Sequence, residues 1–360
     1  MMVSARHMAA VSRWTRRAVR ASAVVVLAAS VSACANLRVA PGAVTVDAIP
    51  IALAPQSPTI DHIGPLAYRG GLYLHTRNPA FGGLSGLLIS EDGSRMLAVS
   101  DNGTWWTAKL DYREGRLTGL SGGVRMSHML GANGAPLQGK GEADSESLTA
   151  AGGTSATLAG PFYVGFERDH RICLYPNPFT LDWMSEAKAL PTCLDLPPDV
   201  LDQPSNGGLE SVTALDSETL LAFSEEKTDK NGNIVGWLIP AHNPKASGYG
   251  ALALVPSKDF KPSDVAVLPD GDVIVLERAF SFDKGAAMQL RRIKRSDIKP
   301  GAKLDGVVLA RLDVTYSIDN MEGVAVRKDA TTGETLIYLI SDNNFNGLQR
   351  TVLLVFALTE

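Results

Sequence analysis

Cysteine is scarce in this chain: three occur in 360 residues, and none stands in a C-x-x-C pair or at a zinc-ligand spacing, so the sequence offers no thiolate metal framework. Aromatic residues make up only 6% of it, and stretches with helical periodicity are few. The apolar run 21–31 has about half the roughly twenty residues that a membrane-spanning helix needs, and no later uncharged stretch is longer. There is no glycine-rich phosphate loop and no dinucleotide fingerprint. A serine-hydrolase elbow is missing too, because Leu87 stands where G-x-S-x-G around Ser85 would need its last glycine. His62, His75, His128, His170 and His242 are scattered, with no triad partner in the pattern.

What is present begins with an export signal. The first 33 residues hold Arg6, Arg13, Arg16, Arg17 and Arg20 and no acid, followed by the apolar run and Ser32-Ala-Cys34. Val31-Ser-Ala-Cys34 puts small residues ahead of a cysteine and resembles the bacterial lipobox. Cys34 is therefore expected to carry lipid and to hold the protein on the periplasmic side of the envelope. Ordinary secretory cleavage near Ala33 or Ala35 is the alternative. Thr15-Arg-Arg17 also matches part of a twin-arginine signal, although Val19 and Arg20 fill positions where that pattern has large apolar residues.

Cleavage before Cys34 removes five of the 34 Lys+Arg and none of the 38 Asp+Glu, moving the formal charge from −4 to −9. Such an acidic body argues against nucleic acid and tolerates cations. The expected partners are a small-molecule ester or phosphate and, through the lipid alone, a membrane. A monomer is expected. Cys173 and Cys193 fall in a compartment that permits disulfides and are expected to pair, two buried free thiols being the alternative.

Residues 34–60 are rich in Ala, Pro and Val and read as a tether. From residue 61 to 360 the chain has many glycines and short β-branched runs, an all-β signature. One pattern recurs five times: a loop, a short apolar strand opening on an acid or serine, a turn, and a second apolar strand ending in an acid. The first strands open at Ser85, Glu146, Glu210, Asp264 and Glu322, in steps of 61, 64, 54 and 58 residues. The second strands end at Asp101, Glu167, Glu225, Glu277 and Asp342. A third strand-like run follows in every unit and a fourth in the first four, the make-up of a four-stranded β-propeller blade. The fifth unit lacks a fourth strand, while residues 66–76 form an unassigned one. A five-bladed propeller closed by this N-terminal strand accounts for every strand, and six blades remain open if one long unit hides another.

In a propeller the loops entering the inner strands share one face, and antiparallel pairing puts the start of the first strand and the end of the second at one edge. Nine of ten equivalent slots hold a carboxylate: Asp101, Glu146, Glu167, Glu210, Glu225, Asp264, Glu277, Glu322 and Asp342. Like charges held close raise carboxyl pKa values unless a counter-charge intervenes. A divalent cation is one remedy, with Ca²⁺ suited to six to eight oxygens and Mg²⁺ or Mn²⁺ less so. The structural alternative is that these acids cap strand ends or pair with Arg168, Arg278 and Arg350. Arg168 and Arg278 directly follow Glu167 and Glu277 and can also hold a phosphate or carboxylate.

Phe81-Gly-Gly-Leu-Ser-Gly86, Val99-Ser-Asp-Asn102, Asp144-Ser-Glu-Ser147, Phe166-Glu-Arg168, Asn206-Gly-Gly-Leu-Glu210, Pro262-Ser-Asp264, Leu276-Glu-Arg278, Asp319-Asn-Met-Glu-Gly323 and Ser341-Asp-Asn-Asn344 together resemble the bacterial phytase-like family, known by an esterase-like activity of phytase. The resemblance runs from about Gly64 to Leu358. It implies a propeller-type domain in an exported bacterial protein that hydrolyses phosphoric or other esters. Calcium-dependent propeller phytases are a looser parallel, in which clustered carboxylates hold several Ca²⁺ ions that clamp phosphate and activate water. This chain departs from them in having few lysines near its acidic loops. The candidate catalytic set is Glu210, Glu322, Arg168 and Arg278, acting with a cation bound by some of the nine carboxylates. A non-catalytic envelope lipoprotein that binds a ligand or partner on the propeller face is the competing expectation.

Overall fold

The computed structural model describes residues 42–359 apart from 153–157, 159, 177–189 and 243–248. Within them the chain winds into five sheets, antiparallel throughout except for one two-residue parallel pair at the outer edge of the third. The inner strands are Leu84–Ile89, Ser145–Ala150, Leu209–Ala214, Lys261–Val267 and Asn320–Lys328. Each packs against the next, and the fifth packs back on the first, which closes a five-bladed ring. The expected sixth-blade alternative is thereby removed. The signal segment and Cys34 lie outside the described residues.

The ring is closed as the strand count requires. Leu66–His75 pairs antiparallel with Thr351–Leu358, the last strand of the chain, and so supplies the fourth strand of blade five. Residues 42–50, expected in the tether, are instead strands of the ring. Gly42–Val44 adds to the outer edge of blade one and Asp47–Pro50 to that of blade five. Leu53 and Ala54 are buried as well. Two apolar residues and a handful of ladder hydrogen bonds suffice to cover a sheet edge, which is why a short, weakly patterned stretch escaped strand assignment.

Blade strands are apolar on both faces because each blade is covered on both sides. In the second strand of blade four, Val273 and Val275 pack into the cluster shared with blade three, while Ile274 and Leu276 pack into that shared with blade five. Blades one and two meet through Trp105, Phe162 and Val164, and blades two and three through Tyr163, Ile172 and Trp237. Below the entry loops the ring axis is lined by apolar and threonine side chains from all five inner strands, among them Leu87, Leu148, Thr213, Val265 and Val324. Cys173 and Cys193 sit opposite one another on neighbouring strands of blade two and form a disulfide. Among the described residues no helix is long and apolar enough to cross a membrane.

Candidate functional site

Every blade bulges where its inner strand begins. Ladder pairs Leu84↔Ser100, Ser145↔Phe166, Leu209↔Ser224, Pro262↔Glu277 and Met321↔Ser341 are each followed by one extra residue on the inner strand. A bulge leaves that residue unpaired and re-aims its side chain. The bulge positions are Ser85-Gly86, Glu146, Glu210, Ser263 and Glu322. The residues that follow the paired partners are Asp101, Glu167, Glu225, Arg278 and Asp342.

Blade four is thus offset by one residue from the repeat read in the sequence. Asp264 and Glu277 are not the equivalents of Glu210 and Glu225; Ser263 and Arg278 are. Because side chains alternate along a strand, an offset of one turns them to the opposite face. Glu277 accordingly points into blade four, where Arg291 donates from Nε at 2.9 Å and from Nη2, and Gln289 also donates to it. Asp264 is buried with both oxygens engaged, accepting the N–H groups of Val265 and Val324 at 2.8 Å each. Neither belongs to the mouth of the ring; the first ties a blade together and the second ties blade four to blade five.

The other seven carboxylates do meet, and Asp144 joins them. Asp101, Asp144, Glu167, Glu210, Glu225, Glu322 and Asp342 are buried and Glu146 is half-buried. One oxygen of each of Asp144, Glu146 and Glu167 lies within 4.8 Å of the others, so these three can hold a metal ion. Glu167 is fixed by the N–H groups of Gly207 and Gly208, the latter at 2.8 Å. Gly207 has φ +83°, and a Cβ there would lie 3.0 Å from Glu225 Oε2 and closer still to Glu226, so a side chain would be both strained and crowded. Gly83 in blade one is equally restricted, at φ +62° with the Asp101 carboxylate where a Cβ would stand.

Among the described residues three cations contact these eight carboxylates. Arg278, from the odd slot of blade four, reaches Glu225 at 3.0 Å, Glu322 at 3.0 Å and Glu210 at 3.8 Å. Arg168 Nε donates to Asp144 Oδ2 at 2.5 Å, and its Nη2 to Asn206 Oδ1 at 3.3 Å. Lys140 donates to Asp101 Oδ2 and, at 2.8 Å, to Asp144 Oδ1. Lys140 and Asp144 receive no site role from the sequence, although Asp144 opens the motif Asp144-Ser-Glu-Ser147, since both precede the strand that carries the repeat. The run Gln138-Gly-Lys-Gly-Glu142, a lysine between glycines beside the acid loop, was the available signal.

The imbalance shows in the acids. Burial first, then the Glu210, Asp144 and Asp101 carboxylates, push Glu146 well above the usual range. Burial and the neighbouring Glu225 do the same to Glu210 against the pull of Arg278. Asp342 is raised by burial and by Asp101 and Glu322. Burial lifts Glu322 to about 7 although Arg278 opposes it. Burial also raises Asp101 and Glu167. A donor set of eight oxygen acids, with one buried oxygen, Asp101 Oδ1, lacking any partner, fits an oxygen-preferring divalent ion.

The family profile described as phytase-like, esterase-like activity of phytase, matches residues 79–345, a span that takes in both slots of all five blades. No curated protein matches the sequence. Among solved structures, a chain from S. cerevisiae Dbp5 bound to Nup159, Gle1, IP6 and ADP aligns over 84% of this chain and 97% of its own at 12% identity, TM-score 0.34. The β-propeller domain of Cps50 (Swd1), printed as from Myceliophteria thermophila, aligns over 87% and 100% at 9% identity, TM-score 0.36. Scores this low carry nothing further.

Proposed function

Because this chain belongs to the phytase-like family, we propose that it is an exported hydrolase of phosphoric or other esters that works with a divalent cation, Ca²⁺ before Mg²⁺ or Mn²⁺, in the carboxylate mouth. The observation that carries this is the close approach of Asp144, Glu146 and Glu167 within a family named for ester hydrolysis. Asp101, Glu210, Glu225, Glu322 and Asp342 surround these three and complete the negative field. A cation held there supplies Lewis acidity.

The remaining work falls to the chain's own groups. Arg278 and Arg168 are guanidinium donors among the carboxylates of the mouth and counter negative charge that develops on an ester's oxygens. Glu322, raised to about 7 by burial, exchanges a proton near neutral pH and suits proton transfer to a leaving oxygen. Glu210, pushed well up by burial and by Glu225 against the pull of Arg278, holds its proton to higher pH than an ordinary glutamate. We place the protein on the periplasmic side of the envelope, lipid-anchored through Cys34.

The test is direct. Purified protein is incubated with phytate, p-nitrophenyl phosphate and p-nitrophenyl acetate, with Ca²⁺ or with chelator. Release that depends on Ca²⁺ supports the reading, and no release from any substrate in either condition overturns it. The second reading, a binding lipoprotein without turnover, is favoured by the Arg278 ion pairs, which look like a tie between blades three, four and five. Glu210→Gln and Glu322→Gln separate the two: lost turnover at unchanged melting temperature marks an enzyme, and lost melting temperature alone marks a structural tie.

A further inference from the structure

Lys140 stands where a cation belongs. Its ammonium bridges blade one and blade two, donating to Asp101 Oδ2 and, at 2.8 Å, to Asp144 Oδ1. Asp144 is one of the three acids whose oxygens converge, and both its oxygens are already taken, one by Lys140 and one by Arg168. Asp101 is 7% exposed, yet its Oδ1 has no partner. Three carboxylates close enough to share an ion, a fourth with a buried oxygen unused, and an ammonium between them describe a site with a substitute in place.

We propose that the divalent-cation site of this chain comprises four carboxylates, Asp101, Asp144, Glu146 and Glu167, and that Lys140 is its tethered competitor, occupying Asp101 and Asp144 until a divalent cation displaces it. This rests on the cation reading given above and adds to it a ligand and a displaced residue. Lys140, rather than Arg168, is the group able to leave. It sits on the five-residue helix Gly139–Ala143, whose N-terminus has no side-chain cap. Gly139 and Gly141 on either side have no neighbour within 4 Å of a built Cβ. The Lys140 side chain is 43% exposed. Arg168, 37% exposed, shares its contacts between Asp144 and the neutral Asn206 amide, and the second of these needs no carboxylate to persist.

The charge count drives the exchange. An ammonium offers one positive charge and three N–H donors, of which Lys140 uses two here. A divalent ion offers twice the charge and takes six to eight oxygen ligands if it is Ca²⁺. It can accept Asp101 Oδ1, which no lysine proton reaches. The lysine lowers cation affinity while keeping the unloaded mouth from flying apart through carboxylate repulsion.

Calorimetric titration of Ca²⁺ into the full exported chain tests this, with Mg²⁺ as a second arm. Lys140→Met is expected to bind Ca²⁺ about tenfold tighter than wild type, the worth of one removed charge competitor. Lys140→Arg keeps the competitor and stays within about threefold of wild type, while Asp101→Asn binds about tenfold weaker. A Lys140→Met affinity equal to or below wild type, equal shifts in the Met and Arg variants, or an unchanged Asp101→Asn overturns the proposal. A wild-type measurement makes folding of the variants immaterial: amine acetylation followed by mass spectrometry should show Lys140 labelled several-fold faster with Ca²⁺ present, and unchanged or slower labelling overturns it. If no form binds Ca²⁺, this proposal and the cation part of the functional reading fall together. If the affinity shifts appear without ester hydrolysis, only the hydrolase reading falls.

Discussion

Arg278 and Glu277 are neighbours in sequence and face opposite sides of one strand: Glu277 is locked to Arg291 inside blade four, while Arg278 lies 3.0 Å from Glu225 of blade three and 3.0 Å from Glu322 of blade five. A single strand thus supplies both an internal blade clamp and the central cation of the mouth. The two roles are separable by mutation.

Removing the central cation should unbalance the acids. Arg278→Gln leaves Glu210, Glu225 and Glu322 buried without their counter-charge, a loss on the order of 3–5 kcal/mol at pH 8. Denaturant unfolding at pH 8 and pH 5 checks this: the deficit should shrink at pH 5, below the value of about 7 to which burial lifts Glu322. An equal deficit at both values contradicts the role given to Arg278.

The blade clamp should affect stability without touching cation binding. Glu277→Gln leaves the Arg291 guanidinium buried against a neutral amide and should cost on the order of 3 kcal/mol, with Ca²⁺ affinity within about twofold of wild type. The comparison is calorimetric titration beside urea unfolding. Weakened Ca²⁺ binding in that variant would return Glu277 to the mouth.

How far the sequence carried the structure can be seen at these residues. The five-fold recurrence, the four strands per unit and the closing strand 66–75 were legible because apolar alternation and acid spacing repeat over about sixty residues. Seven of the nine predicted acids converge for the same reason. Blade four defeated the reading because Pro262-Ser-Asp264 and Leu276-Glu-Arg278 each carry an acid one residue from the slot, and sequence spacing does not reveal which residue bulges. Asp144 and Lys140 received no site role because they belong to the short helix Gly139–Ala143 and its C-cap rather than to a strand of the repeat. Residues 42–50 were hidden because an edge strand covered on one side needs little apolar pattern.

Stability should fall as pH rises when no divalent ion is present. Glu322 is raised from 4.5 to about 7, and Glu146, Glu210 and Asp342 are raised well above their ordinary values. The folded chain therefore binds more protons than the unfolded chain once pH exceeds the ordinary carboxyl range, so each further rise through the folded pKa values removes stability. Melting temperature in chelator should drop between about pH 5 and pH 8, and Ca²⁺ should flatten that slope. A slope of the opposite sign in chelator contradicts the assignment of these acids to one charged cluster.

The Cys173–Cys193 bridge closes a segment with sequence separation 20 at the outer edge of blade two, away from the mouth. Reduction should lower unfolding free energy by about 3 kcal/mol and leave Ca²⁺ affinity unchanged. Urea unfolding with and without reductant provides the check. A change in Ca²⁺ affinity on reduction would couple the blade edge to the site.

Anomalous diffraction from crystals soaked in Ca²⁺, with Mn²⁺ as a stronger scatterer, tests the cation centre most directly. The account predicts a peak ligated by Asp144, Glu146 and Glu167, with Asp101 drawn in and the Lys140 ammonium displaced. A soaked crystal with no peak among these carboxylates, and with Lys140 still bridging Asp101 and Asp144, would contradict it.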